Sequence, residues 1–276
     1  MKPKPLILIL LLTLLFTATQ AQDFPLLVPK LEYSHSVALS SPTTISKDRS
    51  GNIYFLGLNS NLLRLDPLGR PLGNYSPPVR GRISIIDAWN PMKVMVFYRD
   101  RQEVLLLDRF LRPIISTDLT DINYQGTAKV ASLASDDSFW LFDETNLVLS
   151  KLDLQLRKTV VETPLNLILD RERFDVKQLR EYQNMVYMLD ANGVFVFDNL
   201  GNYKKKLLLP GLSYIGFHNN DMYFIQEGEL HFLDLYSSER RSYALPKTKA
   251  FVSALVGEGF LYLITPKTVE VYNWLQ

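Results

Sequence analysis

The chain has 276 residues, 47% of them hydrophobic, with 30 basic residues against 29 acidic ones and no cysteine. So even a balance argues against a general polyanion binder, because nucleic acid calls for a concentrated basic face. Without cysteine there can be no disulfide framework and no lipid attachment through an N-terminal Cys, so stability has to come from the core.

In chain order, Lys2 and Lys4 form a positive n-region, Leu6 to Phe16 is almost wholly apolar, and Thr19-Gln20-Ala21 offers small residues for cleavage. This predicts a secretory signal peptide over 1–21, cut after Ala21; the apolar run is short for a membrane span. The mature part, 22–276, is expected in the periplasm or at the cell surface of a bacterium, with no span left after cleavage. Residues 22–42 hold Pro25, Pro29 and Pro42 and one strand-like run, Leu31 to Val37.

From Ser46 onward one figure recurs six times. A turn such as Ser50-Gly51-Asn52 precedes an apolar run with an aromatic, then a second turn, another apolar run and a closing Asp. The second strands read Ile53–Leu56, Met95–Tyr98, Phe139–Phe142, Val186–Leu189, Met222–Ile225 and Leu261–Ile264. The closing residues Asp66, Asp108, Asp153, Asp198, Asp234 and Asn273 lie 36 to 45 positions apart. Asp or Asn suits that place because its side chain can bond its own backbone at the start of a turn. Short strands repeating at a period near 40 predict an all-β chain: one six-bladed β-propeller of four-stranded antiparallel blades over 22–276. The innermost strands are expected near Thr43–Lys47, Arg82–Ala88, Ala128–Ala134, Phe174–Arg180, Leu212–Phe217 and Phe251–Val256. A fourth strand is missing after Val269 to Trp274, and the N-terminal segment can supply it, closing the ring and covering an open edge.

The longest departures from the repeat are Pro71–Gly81, Asp121–Thr127 and Leu165–Arg173, each linking an outer strand to the next inner one. Loops on a rigid scaffold tend to carry function. Together they would present Arg80, Arg82, Tyr124, Arg171 and Arg173 on one face, and Arg and Tyr are enriched at interface hot spots. Lys204-Lys205-Lys206 is expected to guard an outer edge against self-pairing.

A catalytic constellation is not legible. The three histidines, His35, His218 and His231, are scattered, with His218 opening a hairpin turn, and no zinc, phosphate-loop or EF-hand spacing occurs. Asp87 and Asp175 are almost the only carboxylates on the inner strands, and Lys47, Lys177 and Arg180 oppose a cation beside them. No catalytic residue, metal or cofactor is therefore expected.

The first unit, Asp48-Arg49-Ser50-Gly51-Asn52-Ile53-Tyr54 with Asn61 to Asp66 and Gly69, resembles the NHL-type repeat, and Asn192 to Gly201 keeps a shorter echo in the fourth blade. The resemblance implies the propeller fold; its members range from interaction modules to lyases and hydrolases. The chain is also loosely similar to the periplasmic propeller of the barrel-assembly machinery, which binds partners through loops on one face but is lipidated and has more blades. The function expected is a non-catalytic scaffold for another envelope protein. The alternative is a carbohydrate- or small-molecule-binding propeller, or a metal-dependent hydrolase or lyase, with its site at the central channel.

Overall fold

The computed structural model describes residues 26–77, 81–169 and 173–275. The signal peptide expected over 1–21 lies outside them. Two N-terminal strands, β1 (Leu26–Leu27) and β2 (Lys30–Ala38), precede six sheets. Blade 1 is β3 (Ile45–Lys47), β4 (Ile53–Leu56), β5 (Leu62–Leu65) and β6 (Pro71–Tyr75). Blade 2 is β7 (Ile85–Asp87), β8 (Lys93–Tyr98), β9 (Glu103–Asp108) and β10 (Pro113–Asp118). Blade 3 is β11 (Ala128–Leu133), β12 (Phe139–Asp143), β13 (Val148–Asp153) and β14 (Lys158–Pro164). Blade 4 is β15 (Val176–Tyr182), β16 (Met185–Asp190), β17 (Gly193–Asp198) and β18 (Tyr203–Leu207), and blade 5 is β19 (Gly216–His218), β20 (Asp221–Gln226), β21 (Glu229–Asp234) and β22 (Arg240–Ala244). Blade 6 is β23 (Ser253–Val256), β24 (Phe260–Ile264) and β25 (Thr268–Leu275), completed by β2.

The central four residues of every second strand are apolar because both faces are covered there; Lys93, Asp143, Asp190, Asp221 and Gln226 stand only at strand ends. Met95 and Phe97 pack toward blade 3, whereas Val94, Val96 and Tyr98 pack toward blade 1. Trp140 and Phe142 of β12 face blade 4, while Phe139 and Leu141 face blade 2. Six such seams run round the ring, the last joining Tyr262, Ile264 and Val271 of blade 6 to Ile53, Phe55 and Leu65 of blade 1. A strand buried on both faces reads as a continuous apolar run, not an alternating one. Each fully buried large side chain contributes about 1.5–3 kcal/mol.

Local hydrogen bonds explain the recurrent polar residues. Asp66 Oδ1 accepts from the Leu68 and Arg70 amides at 2.9 and 2.8 Å, and Asp108 from those of Phe110 and Arg112 at 2.8 and 2.9 Å. Asp153, Asp198 and Asp234 hold their turns in the same way. The sixth member of the series differs, since Asn273 lies inside β25, opposite Glu32 and Phe260, and starts no turn. The Asp48-to-Tyr54 motif is also structural. Buried Asp48 accepts from Asn52 N, Asn52 Nδ2 and Tyr54 Oη at 2.9, 2.7 and 2.9 Å, and Gly51 turns the chain at a φ of +85°.

Closure follows the expected route. β2 pairs antiparallel with β25 from Lys30↔Leu275 to Ala38↔Thr268. The same strand reaches blade 1, where a Cβ on Gly69 would stand 2.2 Å from His35 Nε2, so only glycine fits beside that ring. β1 does something the sequence did not suggest: it lies parallel on β22 and gives blade 5 a fifth strand, with Leu26 opposite Ser242. The triple lysine sits on β18, the outermost strand of blade 4, and His218, at the end of β19 opposite Asp221, opens the Asn219–Asn220 hairpin turn as expected. Among the described residues no helix is long and apolar enough to cross a membrane.

Candidate functional site

Chain order outward from the channel puts the connections from each outermost strand to the next innermost strand on one face. A cavity of about 570 Å³ opens at the centre of that face. Its wall is built where those connections enter the inner strands, from Thr43 to Ile45, Arg82 to Asp87, Lys129 to Ala131, Asp175 to Arg180, and Ser213 with Tyr214; Arg99 joins from the hairpin between β8 and β9.

Its floor is a bridge across the channel. Arg180 of blade 4 donates through Nη1 to Asp87 Oδ1 of blade 2, and both side chains are almost fully buried. Asp87 also accepts from Ser132 Oγ at 2.9 Å, from the Leu133 amide at 3.0 Å and from the Trp89 amide at 3.2 Å. Four donors therefore share one carboxylate, while only one of the five guanidinium N–H groups of Arg180 is spent on it. Tyr214 lies beside this pair; burial, reinforced by the Asp87 charge and partly offset by Arg180, pushes its phenol up to about 12. It is therefore a neutral hydroxyl donor at neutral pH.

Higher on the wall, Lys129 Nζ pairs with Asp175 Oδ1 at 2.8 Å, and Arg99 Nη2 with Glu144 Oε1 at 2.6 Å. Lys177 donates to the Leu212 carbonyl at 3.1 Å and has no ion-pair partner among the described residues; the exposed Arg82 side chain has none either, although its backbone amide donates to Asp100 Oδ2 at 3.4 Å. Five cations thus face two lining carboxylates.

The opposite ends of the inner strands are aromatic. Tyr182 stacks on Phe217 at 4.6 Å and meets Trp89 edge-on at 5.3 Å. A smaller hollow of about 210 Å³ opens beside them, between Arg49, Asn90, Glu181 and Gln183. Nearby, burial holds the Lys47 ammonium below its usual value despite Asp48 and Glu258. Burial first and Lys47 second do the same to His218. Glu181 is consumed structurally, accepting from Trp140 Nε1 at 2.6 Å and the Ser135 amide at 3.2 Å.

The residues expected at a partner surface divide. Arg82 stands on the cavity wall, and exposed Arg173 precedes the wall segment that begins at Asp175. Arg80 and Arg171 lie outside the described residues. Tyr124 is corrected: it is 8% exposed and packed in the seam between blades 2 and 3 with Leu119 and Ile122, so it presents no surface to a partner. Its connection is drawn inward by a 3₁₀ turn at Leu119–Ile122. Lys129, Arg99 and Tyr214 belong to the cavity and were not anticipated; their common signal is a position at or just before an inner strand, or at the adjoining hairpin tip. Among the described residues no group of three or more His, Asp or Glu is placed to hold a metal ion.

No protein-family model matches this sequence, and no curated protein matches it. Among solved structures, a streptogramin B lyase aligns with a TM-score of 0.61 at 12% identity, over 89% of this chain and 97% of that one. The extracellular domain of a hybrid two-component system from B. thetaiotaomicron aligns at 0.53 and 12% identity, over 82% of this chain and 33% of that one. BamB from Moraxella catarrhalis aligns at 0.43 and 16% identity, over 86% of this chain and 71% of that one, too loosely to bear on function. At such identities the likeness is one of fold, and a propeller hosts many functions.

Proposed function

We propose that this chain is a non-catalytic interaction module of a bacterial cell envelope, an exported, NHL-like propeller that holds another envelope protein on its connection face. One observation carries the reading: the large cavity and the exposed Arg82 and Arg173 lie on that single face. A rigid ring with irregular loops gathered at one end suits recognition. The carboxylates on the cavity wall among the described residues, Asp87 and Asp175, are both paired with cations. A small-molecule-binding propeller is the second reading, favoured by the cavity's volume, which falls within the range of about 300–1,000 Å³ common for ligand sites.

The test is capture from native membranes on the immobilised protein, with Arg82→Glu/Arg173→Glu as the comparison. Loss of the captured envelope protein with an unchanged circular dichroism spectrum and unfolding midpoint is the expected result. Capture that survives the double reversal moves the partner to another surface.

A further inference from the structure

We propose that the channel mouth is a carboxylate-binding site, taking a ligand that carries at least two acidic groups. The inference deepens the interaction reading and rests on it, since it names the chemistry recognised on the same face.

The charge arrangement sets the ligand class. On the wall, Lys129 is matched by Asp175, and Arg99 is matched by Glu144 from just outside the cavity. The Arg82 guanidinium and the Lys177 ammonium make no ion pair among the described residues, Asp100 bonding only the Arg82 amide, and Arg180 keeps four N–H donors beyond the one given to Asp87. Asp87 offsets the charge of Arg180, but its oxygens also serve Ser132, Leu133 and Trp89, so it does not occupy the remaining guanidinium donors. Two unmatched cations and the spare N–H donors of Arg180 thus face a hollow of about 570 Å³ that Tyr214 also lines. One acidic group suits the floor at Arg180 and Tyr214. A second suits the rim between Lys177 and Arg82.

The arrangement also excludes ligands. A cation meets a net positive wall, and a neutral sugar leaves the unmatched ammonium and guanidinium groups without the charge-assisted bonds they can make. The oxygens that bind can belong to a free polycarboxylate or to Asp and Glu side chains of an acidic peptide segment. A site held by a partly enclosed wall is screened by salt less than an open surface patch, though not fully.

Isothermal titration calorimetry on the purified protein tests this, with citrate and tetraglutamate as the two probes and glucose as the neutral control. Saturable binding of either acidic probe, weakened by added NaCl, is expected, with none for glucose. Lys177→Gln and Arg82→Gln, made separately at exposed positions, should each weaken binding about tenfold, the loss of one charge-assisted bond. Tighter binding of citrate assigns the site to free polycarboxylates, and tighter binding of tetraglutamate assigns it to an acidic peptide segment. Absence of saturable binding of both probes at millimolar concentration overturns the site, as does binding that neither substitution weakens. Capture of an envelope protein by a chain that binds neither probe leaves the interaction reading standing while this proposal falls. Probe binding without any capture does the converse.

Discussion

The bridge between Asp87 and Arg180 allows a quantitative test of how the ring is held. The two residues are 93 positions apart and join blade 2 to blade 4 across the channel, with side-chain exposures of 2% and 11%. Asp87→Ala strands a buried guanidinium and removes the acceptor of Ser132 Oγ and of the Leu133 and Trp89 amides. Breaking one side of a buried pair costs about 3–5 kcal/mol, and each lost neutral hydrogen bond about 1 kcal/mol before water re-enters from the cavity. The expected cost is about 4–5 kcal/mol. Asp87→Asn keeps the shape and an acceptor oxygen and should cost about 3 kcal/mol, mainly for the uncompensated cation. Adding Arg180→Met to Asp87→Asn removes that stranded charge, so the double variant should be more stable than Asp87→Asn alone. Urea unfolding followed by circular dichroism, with the slope checked alongside the midpoint, measures these three variants and Arg180→Met alone. Additive single changes, or a loss below about 1 kcal/mol for Asp87→Ala, would refute the bridge as a structural tie.

Two further outcomes follow from other parts of the ring. Deleting residues 22–40 removes β2 and bares the whole length of β25, so size exclusion should show loss of soluble monomer; a stable monomer of unchanged melting temperature would sink the closure argument. Acidification from pH 7.5 to pH 5 should lower the urea midpoint, because burial holds His218 and His231 below the usual histidine value. The unfolded chain then takes up protons first, from about pH 6.5 downward, and stability falls until the folded-state values are passed. The Asp66, Asp136 and Glu270 carboxylates, all held below their ordinary range, add a second loss below about pH 4. His218→Gln/His231→Gln should flatten the first phase only; a midpoint that rises on acidification would contradict the burial account of these rings.

What the chain alone determined is whatever depends on neighbours a few residues apart. Asp66, Asp108, Asp153, Asp198 and Asp234 bind amides two to four positions on, so the turn, the period and hence the blade count are written locally. The doubly covered second strands are legible for the same reason, as apolar runs of four residues with polar residues only at their ends. Tertiary structure decided what depends on ring geometry. Whether Tyr124 is presented or buried turns on a 3₁₀ turn that drives Leu119, Ile122 and Tyr124 into one seam. β1 adds to blade 5 in parallel although it precedes blade 1 in the chain, a placement set by the route the segment takes to reach β25. The basic cavity is the strongest case. Arg82 enters blade 2 while Lys177 and Arg180 stand on the inner strand of blade 4, amid an almost neutral composition, and only closure of the ring brings their charges to one mouth. Charge balance is a sum over the chain, whereas a field is a matter of where the charges stand.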